Sequence, residues 1–168
     1  CSGKSVDGGT VLVSGGGGVV GRYAVQMAKA AGAKTVVATA STTLSMETAR
    51  QAGADHVLNY HMDDLATAIM DATGGIDHAI ESEFGVNADM LATVLNESGS
   101  IASYGSALAM RPELPFYPLM FKNITLNMML VYLLDQADRQ RAVHAIDHWL
   151  KNGSISEHIA HQFPLADT

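Results

Sequence analysis

The chain has 168 residues, 48% of them apolar and 16% charged, with a formal charge of −7. These values describe a globular protein with a sizeable core, not a disordered chain, and they argue against a sequence-independent nucleic-acid binder, which needs a cationic surface. The single cysteine, Cys1, excludes an internal disulfide and fits a reducing compartment.

The opening CSGKSVDGG lacks the apolar core of a signal peptide. Thr10 to Val13 reads as a short buried strand that runs into four consecutive glycines, Gly15 to Gly18, with Gly21 beyond them. Gly16, Gly18 and Gly21 fit G-x-G-x-x-G between a strand and a helix, the setting of a dinucleotide turn. The first glycine is expected to allow the tight turn. The second removes a Cβ so that the backbone can approach a pyrophosphate, and the third lets the helix pack closely. The helix start then offers free N–H groups to phosphates, which makes Gly15, Gly16, Gly17, Gly18, Val19, Val20 and Gly21 candidate cofactor contacts. A glycine-rich turn without a ligand is the competing reading.

Val20, Ala24, Met27, Ala28 and Ala31 recur at helical spacing until Gly32. Lys34 to Thr39 reads as a second strand, Ala40 to Thr43 as a polar loop, and Met46, Ala49 and Ala52 as a short helix. His56 to Tyr60 is a third strand, followed by a helix face of Leu65, Ala66, Ile69 and Met70 that Gly74 and Gly75 close. Ile76 to Ser82 and Ser100 to Tyr104 read as strands on either side of a helix over Val86 to Leu95. Residues 107–118 hold three of the four prolines and read as a loop. Ile124 to Val131 starts with strict alternation and reads as a sixth strand late enough in the chain to lie at a sheet edge. The greasy run to Leu134 falls well short of the ~20 residues of a membrane-spanning helix. Asp135 can cap a last helix with Val143, Ile146 and Leu150 on its inner face and Gly153 past its end.

Strands alternating with helices imply right-handed βαβ units and a parallel sheet. The expected fold is therefore α/β: a Rossmann-type, doubly wound parallel sheet of about six strands with helices on both faces, one domain over residues 1–168. Ligands bind such sheets at the carboxyl ends of the strands. Besides the glycine turn, Ser41 to Thr43, Tyr60, Ser82 and the Gly105-Ser106 turn stand at such ends. The second strand ends without the carboxylate that commonly binds ribose hydroxyls, its nearest acid being Glu47, so Ser41, Thr42 and Thr43 could accept a 2′-phosphate and NADP(H) is preferred. The alternative is that these hydroxyls only start the next helix. Arg50 and Lys34 are the nearest cations in sequence, and neither is well placed.

VLVSGGGGVVG, the Asn59-Tyr60 strand end, IDHAIES, GSIASYG and the closing FPLAD resemble the cofactor domain of the medium-chain dehydrogenase/reductase superfamily, in particular its zinc-independent, zeta-crystallin-like quinone reductases. The resemblance runs from about Gly8 to Asp167. It implies NADPH as hydride donor to a quinone or an α,β-unsaturated carbonyl, with amides near Gly18 to Val20 on the pyrophosphate. It further implies Tyr60 by the adenosine phosphate, and Ser82 with Gly105-Ser106 near the nicotinamide-side ribose. Tyr104 and Ser106 are the side chains expected nearest the reacting region, and no residue is expected to be an acid, base or nucleophile. Four positions depart from the family. Val19 replaces a glycine, Ser45 stands where a phosphate-binding lysine is common, and Glu81 and Glu83 are expected to add negative charge beside Ser82.

The resemblance also implies a preceding β-rich domain that supplies most of the substrate pocket. The chain thus reads as a domain excised from a longer cytoplasmic enzyme, inactive alone and dimeric through strand 124–131, with neither membrane nor nucleic acid as partner. An alcohol dehydrogenase-type member and a non-catalytic nucleotide-binding or assembly domain are the alternatives. His144 and His148 share a helix face but lack H-E-x-x-H, so no metal is expected. Gly3-Lys4-Ser5 is like the end of a phosphate loop, but that motif needs a strand and a glycine ahead of it, which this sequence starts too late to show, and the reading is not favoured. G-x-S-x-G and Tyr-x-x-x-Lys are absent, and the nine methionines read as core filler.

Overall fold

The computed structural model describes residues 4–159 and 161–167. Cys1 and Gly3, and with them the phosphate-loop reading, lie outside that range. In chain order come β1 (Thr10–Val13), α1 (Val19–Ala30), β2 (Thr35–Ala40), α2 (Thr43–Gln51), β3 (His56–Asn59), α3 (Leu65–Thr73), β4 (Ile76–Glu81), α4 (Phe84–Val94), β5 (Leu95–Ser103), α5 (Phe116–Phe121), β6 (Thr125–Met128) and α6 (Gln136–Lys151). The chain divides into two compact units, Cys1–Leu134 and Asp135–Thr168.

The first unit holds a wholly parallel sheet in the order β3-β2-β1-β4-β5-β6. Alternation along the strands gives it two cores. Val11, Val13, Val36 and Ala38 pack with Val25, Ala28 and Ala49 of α1 and α2. Leu12 and Val37 project to the opposite face and pack with Ile69, Phe84 and Leu91 of α3 and α4. The expected doubly wound fold is thus present, with β6 at one edge and β3 at the other.

Several local expectations are corrected. β5 begins at Leu95, directly after α4 with no connecting loop, and Ser98 takes a left-handed φ of 60° inside it. Residues 116–121 form α5, because a proline in a helix's first turn, here Pro118, gives up an N–H that would have no partner anyway. β6 stops at Met128, and Val131–Leu133 forms a 3₁₀ turn. On α1 the buried residues are Gly21, Val25, Gln26 and Ala28, while Val20 is exposed, as is Met70 on α3.

In the second unit, Asp135 caps α6 by accepting from the amide of Asp138 (2.7 Å), as expected. Val143 and Leu150, expected on its inner face, are exposed. No helix among the described residues is long and apolar enough to cross a membrane.

Candidate functional site

The chain leaves β1 for β2 on one side and returns to β4 on the other, so the carboxyl ends of β1 and β4 flank a crevice. The glycine turn forms one bank. Its left-handed residue is Gly15 (φ +66°), so the tight turn falls one position earlier than the motif suggested. The turn is stitched to β2 through Thr39. The amide of Gly15 donates to Thr39 Oγ1 (3.2 Å) and that of Gly16 to the Thr39 carbonyl (2.9 Å). Thr39 was missed in the sequence because it reads as one more β-branched strand residue.

Close approach explains the other glycines. A Cβ on Gly16 would stand 2.6 Å from Ala38 Cβ, one on Gly17 2.1 Å from the Ser45 carbonyl oxygen, and one on Gly21 2.1 Å from that of Gly15. Gly21 therefore seats the helix on the turn itself. Gly18 is different: it is exposed, and its Cβ would meet only Gly15 O at 3.3 Å. As the N-cap of α1 it provides no side-chain acceptor, so the first-turn amides remain for a ligand. Val19 is 80% exposed and Val20 58%, so both side chains stand in solvent.

Across the crevice, Ser82 Oγ lies 3.5 Å from the Cβ position of Gly15. The amide of Tyr104 donates to Glu81 O (3.0 Å) and that of Phe84 to Gly105 O (3.0 Å). Ser106 uses its hydroxyl within the loop, accepting from the Gly85 amide (2.9 Å) and donating to Ala109 O (2.6 Å). A cleft of about 350 Å³ opens at the ends of β5 and β6, lined in part by Phe84, Tyr104, Ser106, Met110, Met128 and Leu130. Burial raises the pKa of the Tyr104 phenol, opposed by the nearby Ser82.

Glu81 lies under the crevice, not in it, and is completely buried. Its Oε1 accepts from the Glu83 amide and from Asn87 Nδ2 (3.0 Å), which also reaches Ser14 Oγ (3.3 Å), while Oε2 has no hydrogen-bond partner. Burial raises the pKa of this carboxyl, so it holds its proton to higher pH than a free glutamate. Glu83 Oε2 is engaged by the Leu108 amide (3.0 Å). Because the native chain holds the Glu81 proton more tightly than the unfolded chain, this group lowers stability as pH rises above the ordinary carboxylate range. Glu81→Gln is expected to match the wild type near pH ~4 and to gain on it toward neutral pH. Melting curves across pH check this, and a variant whose disadvantage grows with pH overturns it.

On the β2 side, Thr42 and Ser45 form a reciprocal cap at the start of α2. The Ser45 amide donates to Thr42 Oγ1 (3.1 Å) and the Thr42 amide to Ser45 Oγ (3.0 Å). Their hydroxyls thus serve the helix, while Ser41 is half-buried and Thr43 exposed. Ala40 ends β2, and Tyr60, 46% exposed, is tied there by its amide to Ala40 O (3.1 Å). Arg50 pairs with Glu47 (3.7 Å), and Lys34 precedes β2 at the opposite end of the sheet. Among the described residues no group of three or more His, Cys, Asp or Glu could hold a metal. His144 and His148 are exposed on α6.

Residues 19–148 match the zinc-binding dehydrogenase family. The chain is 30% identical over 157 residues to prostaglandin reductase 1 of Bos taurus, covering 89% of this chain and 47% of that protein. The crystal structure of a 2-haloacrylate reductase superposes with a TM-score of 0.84 at 25% identity, covering 95% of this chain and 51% of that one. A second, mycobacterial Rv1454c complexed with NADPH, gives 0.81 at 27% identity, covering 96% and 52%. The chain thus spans about half the length of these relatives.

Proposed function

The chain belongs to the zinc-binding dehydrogenase family of the medium-chain dehydrogenase/reductase superfamily, and on that premise we propose that it is the dinucleotide-binding part of an NADPH-dependent reductase. The acceptor is an alkene conjugated to a carbonyl group, or a quinone. The carrying observation is the uncapped start of α1 behind the exposed Gly18, which faces a strand-end crevice whose β2 bank bears no carboxylate. One relative is named for a haloacrylate, itself an alkene conjugated to a carboxyl group, and another was solved with NADPH.

Bound NADPH supplies the hydride. The work of this chain is positioning. The amides of Val19 and Val20 hold the pyrophosphate while their side chains stay outside. Tyr60 flanks the adenosine, and Ser82 and Gly105 border the nicotinamide-side ribose. Tyr104 and the apolar cleft beside it keep water from the transferring carbon.

Titration with each dinucleotide during heat denaturation tests the reading. A ligand held at a hundred times its Kd adds about 2.7 kcal/mol to the native state. NADPH is expected to raise Tm by several degrees and NADH by less. No shift with either at millimolar concentration overturns the proposal. The same reading includes a homodimer in which the free edge of β6 pairs with a second copy. A monomeric mass at micromolar concentration in light scattering removes that part.

A further inference from the structure

Arg22 has no task in the reading above. It is the fourth residue of α1, and its amide donates to Gly18 O (2.8 Å). Its Nε is buried and meets no hydrogen-bond acceptor. None of the ion pairs among the described residues includes its guanidinium. A guanidinium nitrogen stripped of water and of acceptors is unfavourable, and arginine cannot shed its proton to escape. Nε itself is closed to solvent, so an anion would be met by the rest of this half-buried side chain, whose charge has no partner among the described residues.

Its neighbours say where that anion would lie. Residues 22, 26 and 29 share one face of the helix. That face looks toward α2: Lys29 Cγ is 3.6 Å from the Cβ position of Gly53, just past α2, and Lys29 Nζ pairs with Asp55 (2.9 Å) before β3. Helical side chains lean toward the N-terminus, so Arg22 covers the turn that holds Gly18. α2 presses on the turn just before α1, where the Ser45 carbonyl oxygen is 2.1 Å from a Cβ placed on Gly17. Arg22 therefore stands where the starts of α1 and α2 meet, beside a strand end with no carboxylate. Ser45 contributes only a neutral hydroxyl there, and it is committed to Thr42.

We propose that Arg22 is the specificity-determining cation for the adenosine 2′-phosphate of NADPH, reaching it from α1 in place of a basic residue on the β2–α2 loop. The assignment rests on the NADPH reading. A planar guanidinium with five donors suits a phosphomonoester, and the positive ends of two helices favour the same charge. The pyrophosphate, common to both dinucleotides, is the other anion within the crevice, and the experiment separates the two.

Dissociation constants for NADPH, NADH and 2′,5′-ADP are measured by calorimetry for the wild type, Arg22→Gln and Arg22→Lys, with melting curves taken without nucleotide. The glutamine variant is expected to lose about ten- to a hundredfold in affinity for NADPH and 2′,5′-ADP with NADH unchanged. The lysine variant falls between. Equal losses for NADPH and NADH assign Arg22 to the pyrophosphate and overturn the proposal, as do unchanged affinities. If glutamine lowers the melting temperature, the lysine variant's ratio of NADPH to NADH affinity decides: a fall supports the proposal and an unchanged ratio overturns it. A wild-type protein that binds neither dinucleotide overturns the functional reading itself, before any variant is compared.

Discussion

Alanine at Gly17 lowers stability by about 1–3 kcal/mol, whereas alanine at the very next residue, Gly18, costs no more than about 1 kcal/mol. The contrast follows from what each new methyl meets. At Gly17 it would stand 2.1 Å from the carbonyl oxygen of Ser45. That is backbone in the first turn of α2 and cannot swing aside like the end of a long side chain. Gly18 has extended dihedrals (φ −78°, ψ 171°) that alanine adopts without strain, and its methyl meets only Gly15 O at 3.3 Å. Urea unfolding midpoints at unchanged slope measure the difference. Nucleotide affinity should show the opposite pattern in Gly18→Ala, which keeps its fold but places a methyl on the open side of the turn. A Gly17→Ala protein as stable as the wild type would mean that α2 does not press on the turn in solution.

Lys122→Met is the second large effect, a loss of about 2–3 kcal/mol. The Lys122 ammonium donates to the carbonyls of Ala92, Thr93 and Leu95, each at 2.8 Å. The last carbonyls of a helix lack donors within it, and a cation there also meets the negative end of the helix dipole. Because α4 passes straight into β5, no loop amides stand in for the lysine. Methionine keeps most of the apolar stem but removes all three donors. The chemical-denaturation midpoint is the readout. A loss below about 0.5 kcal/mol would show that water replaces the ammonium without penalty.

The strand ends were legible because backbone demands show up as residue types. Gly21 marks the close seating of α1 and Asp135 the start of α6, whereas the run of four glycines marked the turn without fixing its left-handed residue, which is Gly15 and not Gly16. The sheet followed from the alternation of short β-branched runs with helical spacings. The remainder was hidden by partners far away in sequence. Glu97-Ser98-Gly99 reads as a turn, yet β5 runs through it, and the lysine that closes α4 comes 27 positions after Leu95. The prolines concealed α5, although a proline in a first turn is compatible with a helix. At the crevice, Thr42 and Ser45 could serve a phosphate or a cap, and only the reciprocal geometry shows them capping. Arg22 carried no expectation at all, because nothing in its spacing reveals that Nε is buried.

The placement of β1 between β2 and β4 also bears on the order in which the molecule assembles. β1, β2 and β3 with their helices are contiguous in sequence and can associate through short closures, whereas β4 reaches β1 only after the chain has closed a long loop. The bond from the Ser14 amide to Ile80 O (2.9 Å) belongs to that later event. The glycine turn can therefore take shape on the first three strands, but Ser82 and Gly105 arrive opposite it only when the second half docks. The crevice thus comes from the meeting of two halves of the chain, neither of which contains it alone.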